Sequence, residues 1–577
     1  MRGLPLDSVM LRSRISILAC VSLLTAAGAG LRLAALGHGL PQRADGDNVI
    51  VGQAFGFERL WKGEAHPEER ISELYPHLLG TALAALPGDL GARASKDAGA
   101  REHLHAASRP ELTARRLVAL LSILIVPCTY LLGRRFLPPP ESLFAAALCA
   151  TSLMLVVYSR QARPHGVLAA FCVASVLASM WMARSGSVSS LVAAGLCAAL
   201  ALGTLQSGSS VLPALLVAGC HRLRAWRGRG WTRLLIPLAC VLLALWLFYP
   251  FVFELGPLGR RRFAERPFDA SGFAVIARGL LGLDPVLAIL AALGLLLGLA
   301  RGARTRRRWS PGTRRDLSIV CSFALPYFLA IGLFYRTWPR FVMPLVPVLA
   351  CLAAAGSARL FELACGRLRG SAAYGVLGTA LAAAVLALPG YGAARFVWMS
   401  SRPETSDLAA RWIGDHLDAR EDVLLVAYLL GLPLLQDRES LLRSPSYADS
   451  PLQRYLRGHT GPAFELPLWH LLPIRRAGAD DGDPERYSAG WLRAVIEELG
   501  GDYAVVPAPG PTQRRMDDTR AAVIESGGVL VFATDGAPRQ PALDHPSRAK
   551  ALWDFSGLRT SLTASRLGAP IEIYELP

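Results

Sequence analysis

Three short stretches of the chain combine side chains that can do chemistry, and each lies beside a long apolar block. Asp45-Gly46-Asp47-Asn48 puts two carboxylates two residues apart on a turn. Such a pair can converge on one metal ion or one acceptor hydroxyl, or one can act as general base while the other orients it. Tyr158-Ser159-Arg160-Gln161-Ala162-Arg163-Pro164-His165 offers guanidinium groups and an imidazole, a set suited to cradling a phosphate. Tyr335-Arg336-Thr337-Trp338-Pro339-Arg340 again mixes arginine with aromatic rings. Each has a plainer reading. An Asp-Gly-Asp turn by itself is more often a solvated loop, arginines beside apolar runs snorkel, and Tyr335 and Trp338 fit an interfacial aromatic belt. The belt does not account for Arg336 and Arg340.

The elements that must hold these stretches are membrane helices. Of the 577 residues, 52% are hydrophobic, and they come in long blocks. A spanning helix needs about 20 mostly apolar residues. The expected spans are eleven, at 15–36, 114–133, 140–158, 166–183, 189–205, 208–221, 234–253, 282–300, 317–335, 341–363 and 372–396. Between 189–205 and 208–221, Gln206-Ser207-Gly208 reads as a tight turn or a break within one helix. The 15–36 block is longer than a signal-peptide core and many spans follow it, so it reads as an uncleaved first helix.

Charge supplies the orientation. The formal net charge is +17, and its densest runs, 222–233 and 301–315, sit directly between apolar blocks. Short cytoplasmic loops carry arginine in this way. No nucleic-acid recognition motif accompanies the charge, so nucleic acid is excluded as a partner. The count places the N-terminus, Arg134/Arg135 and Arg359/Arg367/Arg369 in the cytoplasm. It places all three chemistry-bearing stretches and the C-terminal segment outside, with Arg260-Arg261-Arg262 as the one exception to the rule. All ten cysteines lie in or beside apolar blocks with no CxxC spacing, which excludes a disulfide framework and a zinc site. The arginine-rich, lysine-poor composition points to a GC-rich bacterium and hence to the inner (plasma) membrane.

The first outside loop, 37–113, contains two amphipathic helical patterns, 49–61 and 71–86, that suit the membrane surface; 91–110 reads as polar loop. From 401 the composition changes. A helix opens at Pro403-Glu404-Thr405 and runs to His416. Short runs at 423–427, 503–506, 529–533 and 571–574 read as strands, alternating with helical patterns at 490–499 and 513–525. The expected architecture is a polytopic α-helical membrane module, 1–400, followed by a soluble extracytoplasmic α/β domain, 401–577. Among other carboxylates, Asp284 before Pro285 is expected to be a helix N-cap, and Glu362 to pair with a nearby arginine. Asp480-Asp481-Gly482-Asp483 lacks the EF-hand ligand pattern and reads as solvated loop.

Taken in order, Asp45/Asp47, Glu73-Leu74-Tyr75-Pro76-His77, Arg116-Leu-Val-Ala-Leu-Leu121, Ser159-Arg-Gln-Ala-Arg163-Pro-His165 and Pro339-Arg340-Phe-Val-Met-Pro-Leu-Val-Pro347 resemble a family. It is that of the bacterial relatives of protein O-mannosyltransferases and aminoarabinose transferases (glycosyltransferase family 39-like). These belong to the GT-C superfamily of integral membrane glycosyltransferases. Each motif is modest; the ordered set, over residues 10–396, is more specific.

The resemblance implies a GT-C-like fold and a polyprenyl-phosphate sugar donor, undecaprenyl in a bacterium. The acceptor would be a hydroxyl of a protein, a glycolipid or a glycan. In the family an acidic residue of the first outside loop is the base, which maps onto Asp45 or Asp47. The mannosyltransferase branch has Asp-Glu there and this chain has Asp-Gly-Asp-Asn, so the choice between the two stays open. Basic residues at later junctions engage the donor phosphate, which maps onto Arg163, His165, Arg340 and Arg336. Tyr75, His77 and Arg160 map onto donor or acceptor contacts. Some members use a divalent metal, Mg or Mn, for which Asp45 and Asp47 would be ligands, and others use none. The competing function is a transporter or flippase of lipid-linked sugars. Transporters tend to show paired internal repeats and charges deep inside spans; this chain shows no repeat and places its charges at the outside junctions.

Overall fold

The computed structural model describes residues 6–40, 48–61, 77–86, 94–95, 98–227, 230–248, 270–305, 310–334, 337–369, 371–427, 432–437, 439–440, 451, 455–456, 468–473, 489–507, 514–534, 558, 561–562, 567 and 571–577. Every expected apolar block forms helix within these ranges. The polytopic helical architecture is as expected, with two of the eleven blocks short of a full span. Among the described residues seven helices are long and apolar enough to cross a membrane, or nine if two bent pairs each count once. The remaining two blocks are Val188–Thr204 and Leu212–Ala225, of 17 and 14 residues, separated by a 3-10 turn, Gln206–Val211. Neither is long enough alone, because the Gln-Ser-Gly-Ser run breaks the chain between them.

Local signals set the boundaries. Helix α1 is Leu6–Leu33, and the turn after it runs through residue 40. Helices α2, Asn48–Trp61, and α3, Leu78–Ala84, pack together in the first loop. Helix α4, Ala100–Ser122, leads into α5, Ile125–Gly133. Helix α6, Pro139–Thr151, breaks by 48° into α7, Leu153–Ser159. Helix α8, His165–Ser185, ends on Gly186 in the left-handed region (φ 60°), the usual helix-ending conformation. Further along, Ser271–Leu283 and Pro285–Thr305 meet at 120°. The second of these crosses Val346–Cys365 backbone to backbone at Gly294 and Gly356. A Cβ on Gly294 would lie 2.0 Å from the Leu352 carbonyl oxygen, so small residues permit a crossing that larger ones forbid.

Two expectations fail here for physical reasons. Residues 91–110 were expected to be loop, yet α4 begins at Ala100 and carries Pro110 inside it. Its polar first half is helical because Leu104 and Ala107 pack on Leu435 and Leu456, far along the chain. Asp284 does not cap the helix that follows it. Its carboxylate instead accepts from Ser152 Oγ (2.6 Å), Leu153 N (2.8 Å) and Met154 N (3.1 Å), the exposed donors at the start of α7. Glu362 pairs with Arg359 at 2.6 Å and Arg369 at 3.3 Å, as expected. Residues 480–483 lie outside the described residues.

After the last membrane helix, Ala372–Ser400, comes Thr405–His416, opened by a capping box between Glu404 and Asp407. A five-stranded sheet follows, ordered β2-β1-β3-β5-β4. Its strands are β1 Val423–Val426, β2 His470–Pro473, β3 Tyr503–Pro507, β4 Val529–Ala533 and β5 Ile571–Glu575. β1 runs parallel to β2 and β3, and β5 runs antiparallel to β3 and β4. Alternation along the strands sends Leu424, Val505 and Ile573 to Ile413 on one face. It sends Leu425, Ala504 and Tyr574 to Val495 and Val523 on the other. Leu558 and Leu567 join the core of the helical bundle rather than that of the sheet.

Candidate functional site

Asp45, Asp47, Tyr75 and Arg336 lie outside the described residues. Arg163, His165 and Arg340 lie within them and come together. The geometry starts with the break at Ser152. Asp284 holds the start of α7, and Ser152 also accepts from Leu155 N. That fixes where α7 ends and where the turn 160–164 hands over to α8 at His165. Gly166 sits against Ser159; an added Cβ would meet its hydroxyl at 3.0 Å.

His165 is 7% exposed. Its ring stacks on Phe341 with centroids 5.2 Å apart and planes 13° from parallel. Among the described residues neither ring nitrogen has a hydrogen-bond partner, and the same holds for Ser159 Oγ and Gln161 Oε1 nearby in the chain. The charges of Arg163 and Arg340 both reach the imidazole. The Arg340 guanidinium lies over Trp338 (4.7 Å) and Phe341 (5.8 Å). The Phe341 carbonyl accepts from Tyr327 Oη at 2.7 Å. Gly279 admits Pro339 so closely that a Cβ would lie 2.7 Å from it, which seats the 337–341 stretch against Ser271–Leu283. An enclosed polar ring without a partner is costly. Two arginines and a potential donor facing an aromatic wall favour an anion with several oxygens.

His77 and Arg160 are also described, each with its own protein surroundings. His77 precedes α3 and is buried edge-on against Phe57, 5.5 Å away; burial lowers its pKa and favours the neutral ring. Arg160, expected at a donor or acceptor contact, donates to Ala34 O (2.7 Å), Ala35 O (2.8 Å) and Ser400 Oγ (3.1 Å) and lies over Phe396.

Sequence reasoning missed the neighbours of that arginine. Arg115, not the exposed Arg116, is buried and donates to Leu36 O (2.9 Å) and His38 O (2.6 Å). The available signal was Glu111, Arg115 and Ser122 recurring at helical spacing on the buried face of α4. His38 Nε2 lies 3.0 Å from Glu404 Oε1. Arg32 is fully buried and donates to the Gly28, Cys149 and Ala150 carbonyls, which bridges α1 to the end of α6. At the opposite end of the bundle Arg184 pairs with Asp316. Among the described residues no three His, Cys, Asp or Glu side chains converge as a metal site.

Residues 106–253 match the family described as dolichyl-phosphate-mannose-protein mannosyltransferase. That segment holds the whole turn from Ser159 to His165. No curated protein matches the sequence. Among solved structures, the archaeal oligosaccharyltransferase AglB from Archaeoglobus fulgidus, in complex with an inhibitory peptide and a dolichol-phosphate, is 12% identical with a TM-score of 0.47. The match covers 95% of this chain and 78% of that one. ArnT from Cupriavidus metallidurans bound to undecaprenyl phosphate is 16% identical with a TM-score of 0.42, over 90% and 96% of the two chains. Arabinosyltransferase EmbB from Mycobacterium smegmatis is 17% identical with a TM-score of 0.37, over 59% and 30%. With every TM-score below 0.5, none of these three likenesses carries weight for the chemistry of this chain.

Proposed function

We propose that this chain, whose segment 106–253 matches the dolichyl-phosphate-mannose-protein mannosyltransferase family, is a membrane glycosyltransferase of GT-C type that moves a sugar from a polyprenyl-phosphate donor to an acceptor hydroxyl on the extracytoplasmic side. The observation that carries the reading is the enclosed, unpartnered His165 imidazole, two residues after Arg163 and stacked on Phe341, over which Arg340 also lies. That pocket suits the phosphate of a lipid-linked sugar, with the polyprenyl tail held among the spans. Asp45 or Asp47 takes the proton of the acceptor hydroxyl as its oxygen bonds to the anomeric carbon. The bond from that carbon to the phosphate oxygen breaks, and the electron pair leaves with the lipid phosphate. Arg163, Arg340 and His165 stabilise the charge that gathers there. A single displacement of this kind inverts the anomeric centre, since no carboxylate nucleophile intervenes. If a divalent metal takes part, Asp45 and Asp47 are the residues that would hold it. The positive-inside pattern of the arginine-rich loops supports an outer-face site. The acceptor class is a protein, glycolipid or glycan hydroxyl.

The test uses membranes bearing the full chain, supplied with labelled polyprenyl-phosphate sugars, and compares wild type with Asp45→Asn and Asp47→Asn. Wild type is expected to consume a donor, and one variant to lose at least about a hundredfold of that rate, as removal of a general base does. Labelled lipid crossing the bilayer with no sugar released would replace the enzyme by a transporter. Equal rates in wild type and both variants would remove the assigned base.

A further inference from the structure

The turn that leaves α1 is held in an unusual way. Ala35 adopts a left-handed backbone (φ 52°), as does Gly39 (φ 74°); alanine resists that region, so surrounding contacts must impose it. Two buried arginines from different parts of the chain do so. Arg160 takes the Ala34 and Ala35 carbonyls, and Arg115 takes those of Leu36 and His38. Arg160 is also five residues before His165, in the same turn that leads into α8. Its other contact, Ser400 Oγ, ends the last membrane helix. Four residues later Glu404, almost fully enclosed, meets His38 while capping the first helix of the C-terminal segment.

We infer that Arg115, Arg160 and Glu404 are positioning residues that lock the 34–40 turn, the entry to the first loop, to the His165 pocket, so that the C-terminal segment helps to set the active geometry through Glu404. The consequence for activity rests on the reading of Asp45 or Asp47 as the base. The lock itself does not, and the experiment separates the two.

The full chain in lipid nanodiscs is compared with Arg160→Lys and Glu404→Gln by amide hydrogen exchange and by donor consumption. Arg160→Lys removes several buried contacts at once. Glu404→Gln keeps the shape and the helix cap and changes only the charge offered to His38, so it carries the decision. Exchange at 34–40 is expected to rise about tenfold in both variants while β1, β3 and α8 keep their protection. For Glu404→Gln, kcat is expected to fall about tenfold with the donor KM unchanged, as for a misplaced rather than a missing group. Unchanged exchange at 34–40 in Glu404→Gln overturns the inference. A raised donor KM with kcat intact also overturns it, because Glu404 would then be a donor contact. If wild type consumes no donor, the functional reading falls; faster exchange at 34–40 would still establish the lock.

Discussion

His165 and Arg160 lie five residues apart and have opposite roles. The imidazole is enclosed and unpartnered, whereas both terminal nitrogens of the guanidinium donate, to two backbone carbonyls and a serine hydroxyl. A hydrogen bond to a charged phosphate is worth about 1.5–3 kcal/mol. His165→Leu should therefore weaken donor binding by roughly ten- to a hundredfold, read as affinity for undecaprenyl phosphate in nanodiscs. His165→Gln keeps a donor and should recover most of that affinity; equal loss in both variants would mean that the ring serves packing on Phe341. At this scale the sequence marked where charge interrupts an apolar block, and His165 and Arg340, singled out that way, both lie against Phe341. It was not legible for Arg115, His38 and Glu404. Their roles exist only through contacts spanning up to several hundred positions, and one chain read in order carries no sign of them.

The helix break at Ser152 shows what an element contributes. The start of any helix leaves backbone N–H groups without partners. In the bundle interior water cannot supply them, so Asp284 accepts from Leu153 N, Met154 N and the Ser152 hydroxyl. Asp284→Ala would leave these donors buried and unpaired. It should destabilise the protein by about 3–5 kcal/mol, lowering its thermal midpoint in detergent. Asp284→Asn keeps an acceptor of the same shape and should lose markedly less. Equal midpoints for wild type and Asp284→Ala would show that the break holds without the carboxylate. From sequence, Asp284 before Pro285 looks like a local cap, because the competing partner comes from 130 residues away. The strands at 423–427, 503–506, 529–533 and 571–574 were legible as β-branched runs between turns. The edge strand His470–Pro473 was not: it has four residues, none β-branched, and acquires strand geometry only by pairing with β1.

At the scale of the whole molecule, the sheet keeps its own cores, yet a few residues of the C-terminal segment are built into the membrane bundle. Leu558 and Leu567 pack among the bundle helices, and Tyr455 meets His103 of α4 at 2.7 Å. The sequence drew a boundary near residue 400 because composition changes there from apolar to mixed. Composition says nothing of contacts made across that boundary. A chain ending at Met399 would lose Ser400 and Glu404 together, leaving Arg160 short of one partner and His38 without its carboxylate. It would also uncover the apolar surface under Leu558 and Leu567, each worth about 2 kcal/mol when buried. The shortened chain should therefore lose donor turnover even with saturating acceptor, by about a hundredfold or more. If the segment only captured acceptor, turnover would persist and the acceptor KM alone would rise. Steady-state rates at several acceptor concentrations, in membranes holding equal amounts of either chain, decide between a segment that shapes the active end of the bundle and one that merely feeds it.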